Sequence, residues 1–396
     1  MTAFPAASIL AADVDAPRWV RTPDELAELV RSLAGAPAVA IDTESDGFYH
    51  YFEKICLVQA ADPSGRVALV DPLAVRDLSP LAPLLADPAT LKVMHSAEND
   101  IATLKRDFKF EFAALFDTHV AARLCGRTEM GLEKLYEREL GIRHLKALQR
   151  CDWSRRPLSP AQEHYAAEDV RHLIALRDRL RSELRDLGRE SWAAEECEEL
   201  RSTPPALPRE PADFLKAKGA SELSPRELAV LRELLSLRDS WARKADLPPF
   251  MVAHDEALVT VATRRPRDAQ ALARVPRLPA RLKERRAGDV LAAVRRGEAV
   301  PDAELPRRVR GPRLRMSREA SARVDRLKAW RAGEAATSGL DPGVLLPQRL
   351  IERIALDAPG DAAALAAVPG IRRWRAEAFG PQLLAAVLSA RGAATP

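Results

Sequence analysis

The sequence predicts an α/β domain with a mixed sheet, followed by an all-α region made of a duplicated helical unit. Three observations point there. Short apolar runs alternate with helix-like segments in the first half only. A proline-rich stretch, TPPALPREPA at 203–212, divides the chain. Residues 247–278 then align without gaps to 340–371, identical at 11 of 32 positions. Strands that are close enough for hairpins and then feed helices are the pattern of a mixed sheet, and a repeat marks duplication of one supersecondary unit.

Taken in order, Pro37–Ile41 is a strand-like apolar run ending at Asp42. Ile55–Ala60 and Val67–Val70 are two more, separated by the turn-forming Asp62-Pro63-Ser64-Gly65. Lys92–His95 is a fourth and leads into a helix-like segment, 99–108. From about 129 to 200 the pattern is helical, broken at Pro157 and Pro160. The prolines of 203–212 cannot continue a helix and make a stiff linker. The repeat shares Leu247/Leu340, Pro249/Pro342, Ala262/Ala355, Pro266/Pro359, Asp268/Asp361, Leu272/Leu365 and Val275-Pro276/Val368-Pro369. Gly288 and Gly380 follow at nearly the same offset, each before an apolar helix. The expected organisation is a first domain over 1–202, a linker over 203–221 and a helical domain over 222–297. A basic linker over 298–316 and a second helical domain over 317–394 complete it.

Composition excludes several classes. With 47% hydrophobic and 30% charged residues the 396-residue chain is of ordinary globular type, and charges interrupt every candidate membrane span. The N-terminus has no basic segment before its short apolar stretch, so it is expected to be a mature cytoplasmic one. Cys56, Cys125, Cys151 and Cys197 lie far apart, which excludes a zinc ribbon and fits reduced thiols. No phosphate-binding G-x-x-x-x-G-K-[ST] loop is present, so the chain is not a helicase. The formal net charge of +4 conceals an asymmetry. Residues 1–200 hold 25 Lys and Arg against 34 Asp and Glu, whereas 201–396 hold 36 against 23. Carboxylate chemistry in the first half and polyanion binding in the second would account for this; solvated surface charge would too.

Three segments supply acids in a suggestive setting. In Ile41-Asp42-Thr43-Glu44 the two acids are two apart, hence on one face of a strand, and like charges so placed need a cation or proton between them. His95-Ser96-Ala97-Glu98-Asn99-Asp100 hands a strand over to a helix, where Asp100 would at least suit the N-terminal dipole. In Tyr165-Ala166-Ala167-Glu168-Asp169 the phenol and the Asp169 carboxylate are four apart, hence on one helix face. Each segment alone has a bland reading: a solvated strand end, a helix cap, a tyrosine packed on its own helix.

The order Asp, Glu, Asp, Asp, with tyrosine four before the last, matches an exonuclease superfamily whose active site is four acids and a tyrosine. Cys151-Asp152-Trp153-Ser154-Arg155-Arg156-Pro157-Leu158-Ser159, followed by Tyr165 to Val170, resembles the approach to and body of the third exonuclease motif of ribonuclease D. The repeated unit resembles the helical HRDC domain shared by RecQ-type helicases and ribonuclease D. The resemblance covers nearly the whole chain. It implies a ribonuclease H-like exonuclease domain followed by two HRDC-like domains. It also implies that Asp42, Glu44, Asp100 and Asp169 ligate metal, with Asp42 bridging, and that Tyr165 orients the attacking water. Four carboxylates suit two divalent cations about 4 Å apart, and hard oxygen donors suit Mg²⁺ or Mn²⁺.

His164, five before Asp169, has the spacing of a sister group in which histidine is the base. Five helical steps turn a side chain about 140° from Asp169 and four only about 40°, which favours Tyr165. His164 is then expected near solvent or substrate. Lys146, Gln149 and Arg150 precede the Asp-Trp segment and are candidates for a substrate phosphate, or are exposed helix charge. His95 is a candidate substrate contact, although packing is an equally plain role for it, and a hard ion does not seek imidazole. The run Phe48 to Phe52 either stacks a terminal base or packs a hairpin. Arginines crowd the first repeat and the 298–316 linker, and would neutralise phosphates without reading sequence.

The expected activity is 3′→5′ exoribonuclease action releasing nucleoside 5′-monophosphates. The resemblance implies tRNA precursors and similar small RNAs with a free 3′ end as substrates. The chain is expected to act as a monomer, with no membrane and no obligatory protein partner. A DNA 3′→5′ exonuclease and a non-catalytic nucleic-acid-binding protein are the alternatives.

Overall fold

The computed structural model describes residues 16–143, 148–207, 213–307 and 316–389. Lys146, the N-terminal segment, and Arg308, Arg310, Arg313 and Arg315 of the basic linker lie outside the described residues. Contacts divide the chain into two compact units, one of residues 1–44, 55–206 and 315–396, the other of residues 45–54 and 207–314.

The first unit is built on a six-stranded mixed sheet. Its strands are β1 (Arg18–Val20), β2 (Ala38–Ser45), β3 (Ile55–Ala61), β4 (Val67–Val70), β5 (Leu91–Met94) and β6 (Leu115–Asp117), in the order β1-β4-β3-β2-β5-β6. β3 and β4 pair antiparallel; β1–β4, β2–β5 and β5–β6 are parallel. The four apolar runs of the sequence are β2 to β5. The edge strands β1 and β6, three residues each, escaped the sequence reading because so short a run shows no periodicity. Every residue of β3 and β4 is buried, as expected of strands covered on both faces.

The helical part begins where local chemistry dictates. Ser159 accepts from the backbone of Gln162, whose side chain returns a bond to the Ser159 N–H at 3.1 Å, and Pro160 opens the helix Pro160–Arg171. That cap sets the phase that turns Tyr165, Ala166, Asp169 and Val170 inward. Helices Leu173–Asp186 and Glu190–Arg201 follow.

The second helical copy, opening with Arg318–Ser338, shares one hydrophobic core with the sheet domain. Its last helix, Arg373–Leu388, meets Glu190–Arg201. Trp192 and Trp374 stack with ring centroids 4.4 Å apart. Glu195 accepts the N–H groups of Arg373 and Trp374 at 2.6 and 2.9 Å, a carboxylate seated on a helix N-terminus. Glu196 receives the Trp374 indole N–H at 3.0 Å and pairs with Arg375 at 2.9 Å and Arg372 at 3.3 Å. Arg372 and Arg375, which flank Trp374, are thus engaged by an acid of the exonuclease domain, whereas the exposed Arg373 side chain pairs with Glu377.

The other unit is organised by the helix Pro225–Ala245, opened by a Ser224/Glu227 capping box and packed along Ala287–Ala299. The two backbones approach so closely at Gly297 that an added Cβ would stand 2.4 Å from Val230 Cα. The duplication is visible in matching details. Asp268 and Asp361 each cap a short helix by accepting an N–H at 2.8 Å, and Arg265 and Ala358, each before a proline, both adopt positive φ. Residues 45–54, linking β2 to β3, belong to this unit. Tyr51 is buried there beside Ala242 and Val252, and its hydroxyl donates to Asp239 at 2.8 Å. Asp246 accepts the N–H groups of Tyr51 and Phe52 at 3.0 and 3.1 Å and meets His50 Nδ1 at 2.8 Å. Of the aromatic run, Tyr51 therefore packs, while Phe48 and Phe52 remain exposed.

Candidate active site

β2 runs parallel to β5 in a register pairing Ala38 with Leu91 and Ala40 with Val93. β5 ends at Met94, so Asp42 and Glu44 lie on the part of β2 that extends past it. There the chain turns into the helix Glu98–Phe108, whose first turn carries Asp100. The carboxyl ends of parallel strands are where α/β sheets leave room for a ligand. Asp117, fully buried, fixes the start of that helix by accepting the Ala97 N–H at 2.7 Å. Thr43 Oγ1 donates to Asp100 Oδ1 and ties the helix to β2. The sequence reading missed Thr43; its only signal was a hydroxyl between the two acids.

Asp169 arrives from the helix Pro160–Arg171. One oxygen each of Asp42, Glu44 and Asp169 lie within 4.8 Å of one another. Asp100 stands outside that group of three but near enough for its charge to push up the pKa of Asp42. The position of Asp169 is held by Tyr136, whose buried hydroxyl donates to the Asp169 carbonyl at 3.1 Å. Its neighbour Glu168 is engaged elsewhere, with Arg171 at 2.8 Å and His172 at 3.2 Å, and these partners bring its pKa down to about 2 although burial opposes them.

Asp42, Glu44 and Asp100 behave in the opposite way. Burial, then mutual repulsion, raises Asp42 and Glu44 well above the usual carboxylate range, and burial lifts Asp100 to about 6. Without a positive counter-charge such a cluster resists full ionisation at neutral pH. With hard divalent cations among these oxygens the same charges become favourable, so the donor set fits Mg²⁺-like ions. The sign of the pH dependence follows. A raised acid pKa means that the metal-free folded protein keeps protons which the unfolded chain releases, so its stability falls as pH rises from about 4 to 6 and beyond. Cations displace those protons. Thermal stabilisation by saturating Mn²⁺ is therefore expected to be several degrees larger at pH 8 than at pH 5.5 in differential scanning fluorimetry. Equal shifts would mean the ions bind elsewhere.

Tyr165 is buried, with its ring centroid 6.1 Å from that of buried Trp153. Burial foremost, then the charge of Asp169 and a hydrogen bond with it, pushes the phenol pKa far up, so the group is protonated at any working pH. His164 is exposed on the same helix. Gln149 and Arg150 sit exposed in the turn before Cys151, which is close enough to Glu44 to influence its ionisation. His95 meets Thr118 Oγ1 at 2.9 Å, and burial brings its pKa down to about 4, so it is neutral and packed against a threonine.

Residues 17–185 match the family model for a 3′-5′ exonuclease, and 227–294 and 320–387 each match the HRDC domain. Ribonuclease D of Granulibacter bethesdensis is 34% identical over 93% of this chain and 92% of its own length. That of Pseudomonas paraeruginosa is 33% identical over 94% and 98%. Among solved structures, Escherichia coli RNase D, described as an exoribonuclease involved in structured RNA processing, superposes with TM-score 0.68 at 27% identity. That superposition covers 94% of this chain and 98% of the other. The catalytic core of RRP6 from Trypanosoma brucei gives TM-score 0.64 at 27% identity over 75% and 83%. No helix among the described residues is long and apolar enough to cross a membrane.

Proposed function

The chain belongs to the ribonuclease D family and is a metal-dependent, hydrolytic 3′→5′ exoribonuclease; from that premise we propose that it matures the 3′ ends of tRNA precursors and other small structured RNAs with two divalent cations. The observation that carries the reading is the approach of Asp42, Glu44 and Asp169 oxygens to within 4.8 Å of one another, on segments far apart in sequence. Asp42, Glu44, Asp100 and Asp169 hold the ions, Mg²⁺ or Mn²⁺, which when bound lower the pKa of a water and neutralise charge at the departing 3′ oxygen.

Water adds to phosphorus as the bond to the 3′ oxygen breaks. A nucleoside 5′-monophosphate leaves, and the shortened RNA keeps a free 3′ hydroxyl. Tyr165 acts as a hydrogen-bonding group that orients the water. Its raised pKa excludes it as a general base, because no phenolate is present to take a proton. His164, Gln149 and Arg150 are exposed polar groups suited to contacts with RNA beyond the scissile nucleotide.

The test is a time course on a 3′-extended tRNA precursor and on single-stranded DNA of matching sequence, with Mg²⁺ or Mn²⁺. Stepwise 5′-mononucleotide release from the RNA is expected. Preference for the DNA would overturn the substrate, and no shortening of either the activity. Within that assay Tyr165→Phe is expected to lower kcat by about 10–10²-fold, in the range of a lost positioning contact, with Mn²⁺ stabilisation unchanged. His164→Ala should change kcat less than threefold. The reverse ranking would make histidine the active group.

A further inference from the structure

Beyond the active site, we propose that a groove beside Trp241 on the first helical copy binds an unpaired nucleotide of the RNA. The base would stack on the Trp241–Arg286 pair, and Lys244 and Arg285 would hold its phosphates. The proposal deepens the functional reading above and rests on RNA being the substrate.

The groove has a volume of about 470 Å³ and a floor formed by Trp241, Leu247 and Leu282. Its size falls in the small-ligand range of about 300–1,000 Å³. Lys244, Arg285 and Arg286 stand on its rim, and among the described residues no carboxylate lines it. The fourth cation there, Arg281, is already committed to the Met251 and Val252 carbonyls. Arg286 lies over the Trp241 ring, 5.4 Å from its centroid, and pairs with Asp289 at 3.3 Å. An aromatic face beside cations, on an apolar floor without acids, is complementary to one ligand class: a planar base with phosphates attached. A purely apolar peptide would leave the cations desolvated and unpaired.

The duplication supplies an internal comparison. Helices Pro225–Ala245 and Arg318–Ser338 have equal length and match at the offset of the repeat, so Trp241 and Lys244 correspond to Glu334 and Thr337. Arg285 and Arg286 fall on Ala378 and Phe379, or on Glu377 and Ala378 if the copies are aligned on Gly288 and Gly380. Neither alignment keeps an aromatic–cation pair. Phe379 instead packs among Trp192, Trp330 and Trp374. Residues 222–297 hold sixteen Lys and Arg against ten Asp and Glu, residues 317–394 eleven against eight. The second copy spends Arg372 and Arg375 on Glu196 and pairs Arg373 with Glu377 of its own helix, whereas the first keeps Lys244, Arg285 and Arg286 around a groove.

The test is binding of a fluorescein-labelled RNA stem-loop with a single-stranded 3′ tail to the full chain, in EDTA, over a range of salt. Turnover does not enter, so absence of nuclease activity and absence of this site are separately readable. Lys244→Ala with Arg285→Ala is expected to weaken Kd about tenfold and to lower the log–log salt slope by about one to two. Trp241→Ala should weaken tailed RNA about tenfold and blunt duplex RNA little, with Trp241→Phe restoring most of the loss. Arg349→Ala, an exposed cation of the second copy, should bind like wild type. Wild-type affinity and slope in the Lys244/Arg285 double variant, whose side chains are exposed and outside the core, would overturn the proposal. So would an equal loss in Arg349→Ala, or a groove-dependent affinity for poly-glutamate and not for RNA.

Discussion

Asp42→Asn is expected to abolish nucleotide release and, at the same time, to make the metal-free protein more resistant to heat. The loss should be at least about 10³-fold in kcat, roughly 4 kcal/mol of transition-state stabilisation, because an amide is a poor ligand for a hard cation and the remaining acids cannot replace it. The gain has the opposite origin. Asp42 shares a site with Asp100 and Asp169, and both burial and their charges oppose its ionisation. A neutral isostere removes a repulsion which, without cations, stabilises nothing, so a gain on the order of 1 kcal/mol is expected. Scanning fluorimetry in EDTA should show the variant melting above wild type, and saturating Mn²⁺ should reverse the order. RNA binding in EDTA should persist, since the basic groups lie elsewhere. A variant that melts lower in EDTA would show that Asp42 makes a structural contact, and one that still releases nucleotides would remove it from the site.

Glu196→Ala is expected to cost the fold about 3 kcal/mol. Glu196 receives the Trp374 indole N–H and pairs with Arg372 and with buried Arg375. Arg375 also donates to the Val344 and Leu345 carbonyls, so it cannot swing into solvent without breaking three interactions. Deleting the carboxylate leaves a buried guanidinium uncompensated, which costs more than the pair itself contributes. Glu196→Gln keeps an acceptor and should lose less. Urea unfolding followed by tryptophan emission reads the transition, with the stacked Trp192 and Trp374 among the six tryptophans that emit. A midpoint within error of wild type for Glu196→Ala would mean that the Glu196 carboxylate contributes nothing to holding the second helical copy.

Both results separate what was legible in the residues from what was not. Asp42 and Glu44 could be placed on one strand face, and Tyr165 and Asp169 on one helix face, because the periods of strand and helix are local properties. The Ser159–Gln162 cap, which sets the inward phase of Tyr165 and Asp169, is likewise a local contact between residues three apart, although the sequence reading did not single it out. Ordering of the acids drew Asp100 into the same set, although nothing local joined it to β2. The bond from Thr43 that does so spans 57 residues. Nothing in the sequence set Arg372 and Arg375 apart from the arginines of the first copy, since charge alone could not tell a solvated guanidinium from one facing Glu196.

The sequence by itself determined the residue types, the element each sits on, the duplication and the acids available for hard cations, since these depend on chain-local geometry and composition. Tertiary structure decided which acids meet, which Trp and Arg face a groove and which are consumed in packing, and how far burial moves each pKa. Those properties depend on desolvation and on charges from distant segments, and neither is defined until the chain has closed around them.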